Sequence, residues 1–267
     1  MYKRQPKRDE INLLDTIITE DYIKTNRFDI IIHTANANST RNTTISRYEI
    51  LNRNLRMFFN LERCRNYYGS LYYFGSGAEY DMNNYSPMMK EEHFGNHIPL
   101  DSYGLSKYAM SKIAQQDNNI YDLRLFGVFG KYEEWERRFI SNAICKCIHD
   151  LPITINQNVY FDYIYIDDLV NIMKWFIENK PRWKHYNVCT GIRVDLFTIA
   201  KRILQISGKD LDIIIGREGL KPEYTGNNKR LMDELGEIKF IDLDVAISNL
   251  YKYYLLNKQE IDVNKLL

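Results

Sequence analysis

Three short apolar runs, each ending in small or polar residues, limit the folds open to this chain more than any other feature. The runs are DIIIHTA from Asp29, SLYYFGSGAEY from Ser70 to Tyr80, and NIYDLRLFGVFG from Asn119 to Gly130. Continuous apolar runs of this length are typical of strands buried on both faces of a parallel sheet. We therefore expect three parallel strands whose carboxyl ends lead into loops of Gly, Ala, Ser and Thr.

Helical patterns lie between these strands. Apolar residues recur at helical spacing from Ser46 to Arg65, and a second helix is expected from Tyr103 to Gln115. Alternating strands and helices favour right-handed βαβ units in a doubly wound sheet, where ligands bind beyond the carboxyl ends of the strands. The expected fold is α/β, with a Rossmann-like parallel sheet.

The chain after Gly130 has a less regular pattern, typical of a smaller C-terminal cap. Its expected helices are Glu134 to His149, Asp167 to Glu178, Asp195 to Ser207 and Leu243 to Tyr254, and extended segments are expected near Tyr160 to Ile166 and Leu211 to Ile215. Since no Pro/Gly-rich linker separates the two halves, we expect them to pack closely.

Charge and hydropathy exclude several classes of partner. Lys and Arg number 36 and Asp and Glu 35, so the net charge is +1. That balance lacks the basic excess needed to bind a phosphate backbone, and we expect no nucleic-acid partner. The longest apolar runs, such as Ile30 to Ile32, are far shorter than the ~18 residues of a membrane span. We therefore expect no membrane association and a cytoplasmic location.

The cysteine and histidine spacings predict no metal site. The chain has 4 cysteines, too few for a secreted disulfide scaffold of this length, and we expect them to be reduced. Cys145 and Cys147 lie two apart in a predicted helix, so their side chains point in different directions. His93 and His97 have a zinc-like spacing, but Gly95 between them favours a surface loop.

Tyr103 and Lys107 are four residues apart, which places both side chains on one face of a predicted helix. A nearby lysine ammonium favours the phenolate and lowers the tyrosine pKa from ~10, giving an acid/base group usable near neutrality. Ser76 follows a predicted central strand, where its hydroxyl could bond both a substrate hydroxyl and the tyrosine oxygen. The Tyr-Lys spacing alone also occurs by chance in many surface helices.

Several motifs in chain order resemble the extended short-chain dehydrogenase/reductase family, the NAD-dependent epimerases, dehydratases and reductases of nucleotide sugars. The motifs are DIIIHTA, a helix with Asn54, FGSGAEY, YGLSK, LRLFGVFG and YIYIDDL, between about Asn12 and Tyr254. GSGAEYD is most similar to the GDP-fucose synthase-like branch, whose members include surface-polysaccharide enzymes. The resemblance implies a truncated dinucleotide-binding Rossmann-like domain in residues 1–130. Residues 131–267 would form mainly a substrate-binding cap, interleaved with the last Rossmann elements.

The resemblance also implies roles for individual residues. Tyr103 would be the general acid/base, Ser76 its hydrogen-bonding partner, and Lys107 the group that lowers the Tyr103 pKa and holds the nicotinamide ribose of NAD or NADP. The further implied cofactor contacts are Asp15, Thr16, His33, Thr34, Ala35, Asn54, Phe126, Gly127 and Val128. Three of these have structural alternatives: Asp15 as a helix cap, His33 as a satisfied histidine at the sheet end, and Asn54 as a hydrogen-bonding residue of a helix face.

The implied substrate is a nucleotide-linked hexose. Candidate substrate contacts are Gly77, Ala78, Arg137, Arg138 and Arg230, with solvated helix-face charges as the alternative for the first two arginines. Gly77 and Ala78 occupy the place of the Asp-Glu pair usual in dehydratases, which favours epimerisation or 4-keto reduction. Phe161 stands where family members often carry an Arg that binds the nucleotide, so the sequence does not identify the nucleotide of the substrate.

The family opens with a strand and a Gly-x-x-Gly-x-x-Gly turn whose amides hold the dinucleotide pyrophosphate. The residues before Asn12 read MYKRQPKRDEI and contain no such turn. We expect either a truncated enzyme or a non-catalytic nucleotide-sugar-binding or regulatory protein that has lost dinucleotide binding. We favour the enzyme because Ser76, Tyr103 and Lys107 are all retained. A sheet without its first β-α unit should have an exposed edge, and a homodimer is a candidate assembly.

Overall fold

A computed structural model describes residues 4–7, 9–39, 44–236 and 238–266. Its helices are α1 (Thr16–Asn26), α2 (Arg47–Glu62), α3 (Ser102–Ala114), α4 (Phe139–Ile148), α5 (Ile166–Glu178), α6 (Leu196–Ser207), α7 (Lys229–Leu235) and α8 (Leu243–Leu256). Its strands are β1 (Ile30–His33), β2 (Ser70–Ser76), β3 (Ile120–Leu125), β4 (Gly127–Phe129), β5 (Ile153–Asn158), β6 (Tyr160–Phe161), β7 (Tyr163–Tyr165), β8 (His185–Val188), β9 (Val194–Asp195) and β10 (Ile213–Leu220). Among the helices so described, none has the length and apolar character needed to cross a membrane.

The described residues of Met1–Asn84, His93–Arg124 and Arg182–Tyr186 form one compact unit, here called unit 1. Its sheet has the order β1-β2-β3-β8, and β8 begins in this unit. β1 and β2 pair in parallel, from Ile30 opposite Ser70 to His33 opposite Tyr73. In the sheet as described, β1 is an edge strand. An edge strand presents unpaired backbone N–H and C=O groups along one side.

Side-chain caps fix where the helices of unit 1 begin. Asp15, Ser46 and Asp101 each accept a hydrogen bond from a backbone amide in the first turn of α1, α2 and α3, respectively. The apolar faces of these helices pack over β2 and β3. The buried core of this unit comprises Ile23, Phe58, Leu61, Cys64, Tyr68, Leu71, Tyr73, Met110, Ala114 and Ile120. This core holds α3 against the strand that carries Ser76.

The described residues of Tyr85–Glu92, Leu125–Pro181 and Asn187–Leu267 form unit 2. β4 pairs with β7 and β10 with β5, both in parallel, while β6 and β9 are antiparallel. Helices α4, α6 and α8 supply most of a core that includes Ile144, Ile203 and Leu250. All four cysteines of the chain are buried and free.

The structure corrects several predicted boundaries. LRLFGVFG is not one strand: it breaks at Phe126 into β3 and β4. α4 begins at Phe139 rather than Glu134, because the amides of Arg137 and Arg138 both bond the Glu134 carbonyl in a preceding turn. The sequence interpretation also missed α1, whose only buried residues are Thr19 and Ile23, so it lacks a strong apolar stripe.

Candidate active site

Ser76 ends β2 and begins a 3₁₀ turn, Gly77–Glu79. Its hydroxyl oxygen accepts a hydrogen bond from the Ala78 amide at 3.2 Å, and its own amide donates to Glu79 Oε1 at 3.0 Å. These reciprocal bonds are a capping box. Because the turn satisfies its own donors, Ser76 has a fixed position at the carboxyl end of a central strand.

Lys107 lies in α3 and is only 4% exposed. Its ammonium donates to the Phe74 carbonyl at 2.7 Å, two residues before Ser76. The same ammonium lies 5.7 Å from the centre of the Tyr103 ring and 4.8 Å from that of Tyr73. Burial lowers the pKa of Lys107 to about 8, although nearby carboxylates act in the opposite direction. Lys107 is thus a buried cation attached to β2 beside Ser76.

The first turn of α3 packs directly on the Ser76 turn. Asp101 accepts from the Gly104 amide at 2.8 Å, and a Cβ at Gly104 would lie only 2.7 Å from the Ala78 carbonyl oxygen. The approach therefore requires glycine at position 104. Ser106 donates to the Tyr103 carbonyl at 2.7 Å. The structure consequently brings the three residues predicted to be catalytic to neighbouring elements of one unit.

His33 ends β1 and is 5% exposed. Burial, and secondarily the Lys107 charge, lower its pKa to about 3, so the imidazole is neutral near pH 7. Its ring centre lies 6.3 Å from that of Tyr73. Thr34 and Ala35 follow in an exposed segment. His33 is a buried residue at the sheet end, and its predicted cofactor contact stays a prediction.

Asn54 has the hydrogen-bonding role proposed as its structural alternative. Its side chain accepts from the Ala37 amide at 2.6 Å and donates to the Ala37 carbonyl at 3.0 Å. It also donates to Ser106 Oγ at 3.3 Å. Asn54 therefore joins the segment after β1 to α3, near Tyr103.

Asp15 and Thr16 lie at the N-terminus of α1. Asp15 accepts from the Ile18 amide at 3.0 Å, which is the helix-capping alternative. Thr16 donates to Asn60 Oδ1 at 2.9 Å. Both side chains thus have structural partners, and their contact with adenine stays a prediction.

Gly77 and Ala78 lie in the Ser76 turn of unit 1, where their contact with substrate stays a prediction, and the remaining predicted site residues belong to unit 2. Phe126 is buried against Tyr224, with ring centres 5.2 Å apart. Gly127 and Val128 pair with β7 residues. Unit 2 also holds a cavity of about 520 Å³ lined by Phe129, Tyr160, Tyr163, Tyr165, Thr190, Ile192, Arg193, Val194, Asp195, Thr198, Arg202, Phe240, Ile241, Asp242, Leu243 and Ala246. None of the predicted cofactor or substrate residues lines it.

The predicted substrate arginines have different surroundings. Arg137 and Arg138 are exposed, and Arg137 lies 4.0 Å from Glu134. Arg230 is mostly buried and pairs with Glu92 at 2.6 Å. Arg137 and Arg138 therefore have the surroundings of solvated surface charges, which was the structural alternative to substrate contact. Their contact with substrate stays a prediction.

Sequence interpretation missed a buried charge cluster next to Ser76. Glu79, Asp122 and Arg124 have fully buried side chains, and Arg124 Nε lies 2.6 Å from Glu79 and 3.0 Å from Asp122. Two signals were readable: the Ser76-x-x-Glu79 spacing of a capping box, and two charges on one face of an otherwise apolar strand in IYDLRL.

The residues at this site fit one end of a dinucleotide cofactor. Near Lys107, the Tyr73 hydroxyl is fully buried and has no hydrogen-bond partner in the described part of the chain. A bound ribose or nicotinamide amide could supply polar contacts there. The contacts that Tyr73, Tyr103 and Lys107 offer are those of the nicotinamide-ribose end.

Comparison with known proteins shows the family of the chain. Residues 2–189 match the model of the NAD dependent epimerase/dehydratase family. GDP-L-fucose synthase of Escherichia coli is 22% identical over 286 residues, covering 94% of this chain and 88% of that protein. ADP-L-glycero-D-manno-heptose-6-epimerase of Brachyspira hyodysenteriae is 26% identical over 148 residues, covering 50% of this chain and 46% of that protein. The latter alignment spans less than half of that relative.

Solved structures confirm the predicted fold. The GDP-mannoheptose C4 reductase of Campylobacter jejuni, solved with NADP bound, has a TM-score of 0.81 at 18% identity, covering 93% of this chain and 89% of that one. A GDP-L-fucose synthetase of Naegleria fowleri bound to NADP has a TM-score of 0.82 at 13% identity, covering 95% and 84%. Both likenesses support the Rossmann-like α/β prediction. On the strength of the family match, the chain belongs to the NAD dependent epimerase/dehydratase family.

Proposed function

We propose that this protein is an NAD(P)-dependent epimerase or 4-keto reductase of a nucleotide sugar. The observation that carries the proposal is the position of Lys107: its buried ammonium bonds the Phe74 carbonyl beside the Ser76 turn, one helical turn from Tyr103. Burying a cation is costly, and a position beside the Ser76 turn and the Tyr103 ring supports a chemical role. Family membership supports the same interpretation.

In the proposed reaction, Tyr103 is the general acid/base. In the oxidative direction the Tyr103 phenolate takes the proton of a sugar hydroxyl, and in the reductive direction the phenol returns it. The Lys107 ammonium favours the phenolate, and Ser76 orients the sugar oxygen through its hydroxyl. NAD or NADP, when bound, accepts or supplies the hydride at the sugar carbon. Tyr103 and Lys107 would hold its nicotinamide ribose.

The substrate class follows from the relatives and from the Ser76 turn. The relatives' names specify GDP- and ADP-linked sugars, and Gly77 and Ala78 offer no acid pair for dehydration. We extend the proposal to the cytoplasmic supply of activated sugars for surface polysaccharides. A homodimer is the expected assembly, to be measured by light scattering.

The test is turnover on a panel of GDP-, ADP-, UDP-, dTDP- and CDP-linked hexoses, heptoses and their 4-keto derivatives, with C4-deuterated NADH or NADPH. We expect deuterium to reach a sugar carbon of at least one substrate. An epimerase needs the oxidised cofactor and returns the same hydride, so hexoses and heptoses are also incubated with NAD⁺ or NADP⁺ and checked for epimerisation by NMR. Binding of a panel member with neither deuterium transfer to a 4-keto sugar nor epimerisation would oppose the enzyme and favour a non-catalytic binding protein.

A further inference from the structure

The buried cluster at Glu79 contains two carboxyl groups, and both contact the same cation, Arg124. Arg124 donates to Glu79 Oε2 at 2.6 Å, to the Tyr80 hydroxyl at 2.9 Å and to Ser111 Oγ at 3.0 Å. Its Nε also lies 3.0 Å from Asp122 Oδ2. One guanidinium therefore contacts two fully buried carboxyl groups, and an ionised buried carboxylate without its own cation is very costly.

The two carboxyl groups also face each other. A Cβ built on Gly75 would overlap both Asp122 Oδ1 and Glu79 Oε1, so these oxygens occupy the same small space beside β2. The two side chains are within hydrogen-bonding contact. Asp122 Oδ1 is buried, and no N–H or O–H group among the residues that the structure describes donates a hydrogen bond to it. A proton between the two acids would satisfy that oxygen.

We propose that Glu79 is held as the neutral acid, donating its proton to Asp122 Oδ1, and that this acid pair with Arg124 positions the Ser76 turn for catalysis. Glu79 Oε1 accepts from the Ser76 amide at 3.0 Å, which links the pair to the serine. The positioning role rests on the proposed function, whereas the shared proton does not.

The surroundings of Glu79 support this protonation state. Burial, followed by the charge of Asp122, raises the pKa of Glu79 well above its ordinary value, despite the opposing effect of Arg124. The titratable or charged groups around it are Tyr73 and Tyr80 near β2, Asp122 and Arg124 on β3, and Lys107 on α3.

A neutral Glu79 has a consequence for Lys107. An ionised Glu79 would raise the pKa of Lys107 and would also oppose the field of its ammonium at Tyr103. With Glu79 protonated, both effects are lost, and the remaining nearby carboxylate is Asp122, which contacts Arg124. The acid pair would therefore position the serine and also set the charge balance around the lysine.

The shared proton is tested by infrared difference spectroscopy at pH 8. Glu133 and Asp162, with pKa values raised to about 7 and about 6, are mostly ionised at that pH. We expect the wild-type protein to show the carbonyl band of a protonated carboxyl group. Glu79→Gln should remove this band, and Glu178→Gln, an exposed control, should retain it. Retention of the whole band in Glu79→Gln, or its absence from the wild type, would overturn the proposal.

If Glu79→Gln does not fold, the wild-type protein still decides the question. With carbon-13 at the glutamate carboxyls, one resonance should keep the chemical shift of a protonated acid at pH 8. A spectrum in which every glutamate carboxyl is ionised would overturn the proposal.

The positioning role needs a readout at Ser76. In Glu79→Gln the new side-chain amide can bond Asp122 and Arg124, but it cannot do so and still accept from the Ser76 amide. We expect hydrogen exchange at the Ser76 amide to be about tenfold faster in Glu79→Gln and unchanged in Glu178→Gln. On a substrate identified from the panel, kcat should fall while KM stays nearly constant. Unchanged exchange and kcat would remove the positioning role. Failure of the panel with wild-type protein would count against the proposed function and leave the spectroscopic result standing.

Discussion

The charged residues next to Ser76 in unit 1 lie inside the protein, whereas two of the predicted substrate arginines of unit 2 lie at its surface. Glu79, Asp122 and Arg124 have no solvent exposure, and Arg124 contacts both carboxyl groups. Arg137 and Arg138 are exposed. Buried charges are retained only where their partners are fixed, whereas exposed charges contribute little to folding. The comparison separates residues that position the site from residues that could bind substrate.

The largest expected effect comes from the proton donor. Tyr103→Phe should preserve the aromatic ring and cofactor affinity but lower turnover by ~10²–10⁴-fold, because it removes the proposed general acid/base. Tyr48→Phe is a matched control, since Tyr48 is 73% exposed on α2. Steady-state kinetics on the active panel substrate measures the effect. Equal turnover by Tyr103→Phe and wild type would eliminate the mechanism.

Removing the cation of the buried cluster should cause a large loss of stability in unit 1. Arg124→Met leaves a buried carboxylate without its partner, and such changes typically cost about 3–5 kcal/mol of unfolding free energy. Arg230→Met removes the cation of the Arg230–Glu92 pair in unit 2 and should cost about 1 kcal/mol or less, because the Glu92 side chain is largely exposed. Urea denaturation of both variants gives the comparison. Similar losses would contradict the distinction between the two units.

The buried histidine of unit 1 should make stability depend on pH. The folded-state pKa of His33 is about 3, below the ordinary 6.5. Between these values the unfolded chain binds a proton that the folded chain does not, so stability falls as pH falls below 6.5. The loss should be about 2 kcal/mol between pH 6.5 and 5. His33→Phe should remove this component, and the exposed His97→Asn should not. Identical pH slopes for all three proteins would exclude a neutral buried His33.

The smallest effect is expected at the surface of unit 2. Arg137→Ala and Arg138→Ala should change the free energy of unfolding by no more than about 0.5 kcal/mol, because neither side chain is buried. If the arginines meet the substrate's phosphates, KM should rise about fivefold or less with kcat unchanged. Denaturation and kinetics on the same preparations test both parts. A large stability loss would show that these charges have a structural role.

The sequence predicted a candidate site from residue spacing, and the structure places its three proposed catalytic residues on neighbouring elements of unit 1. Tyr103 and Lys107 are recognisable because the helical period puts them on one face, and Ser76 because it follows a buried strand. The break of β3 and β4 at Phe126 was missed, since a continuous β-favouring run does not reveal that its two halves pair with different partners. Glu79 and Arg124 were missed because they are 45 residues apart, and only the fold brings them together.

Gly75 leaves the space into which the acid cluster fits. A side chain at position 75 would collide with both Asp122 Oδ1 and Glu79 Oε1, so even alanine there requires both carboxyl groups to shift. The bare backbone at one position of β2 therefore sets how closely the two acids approach the strand and each other.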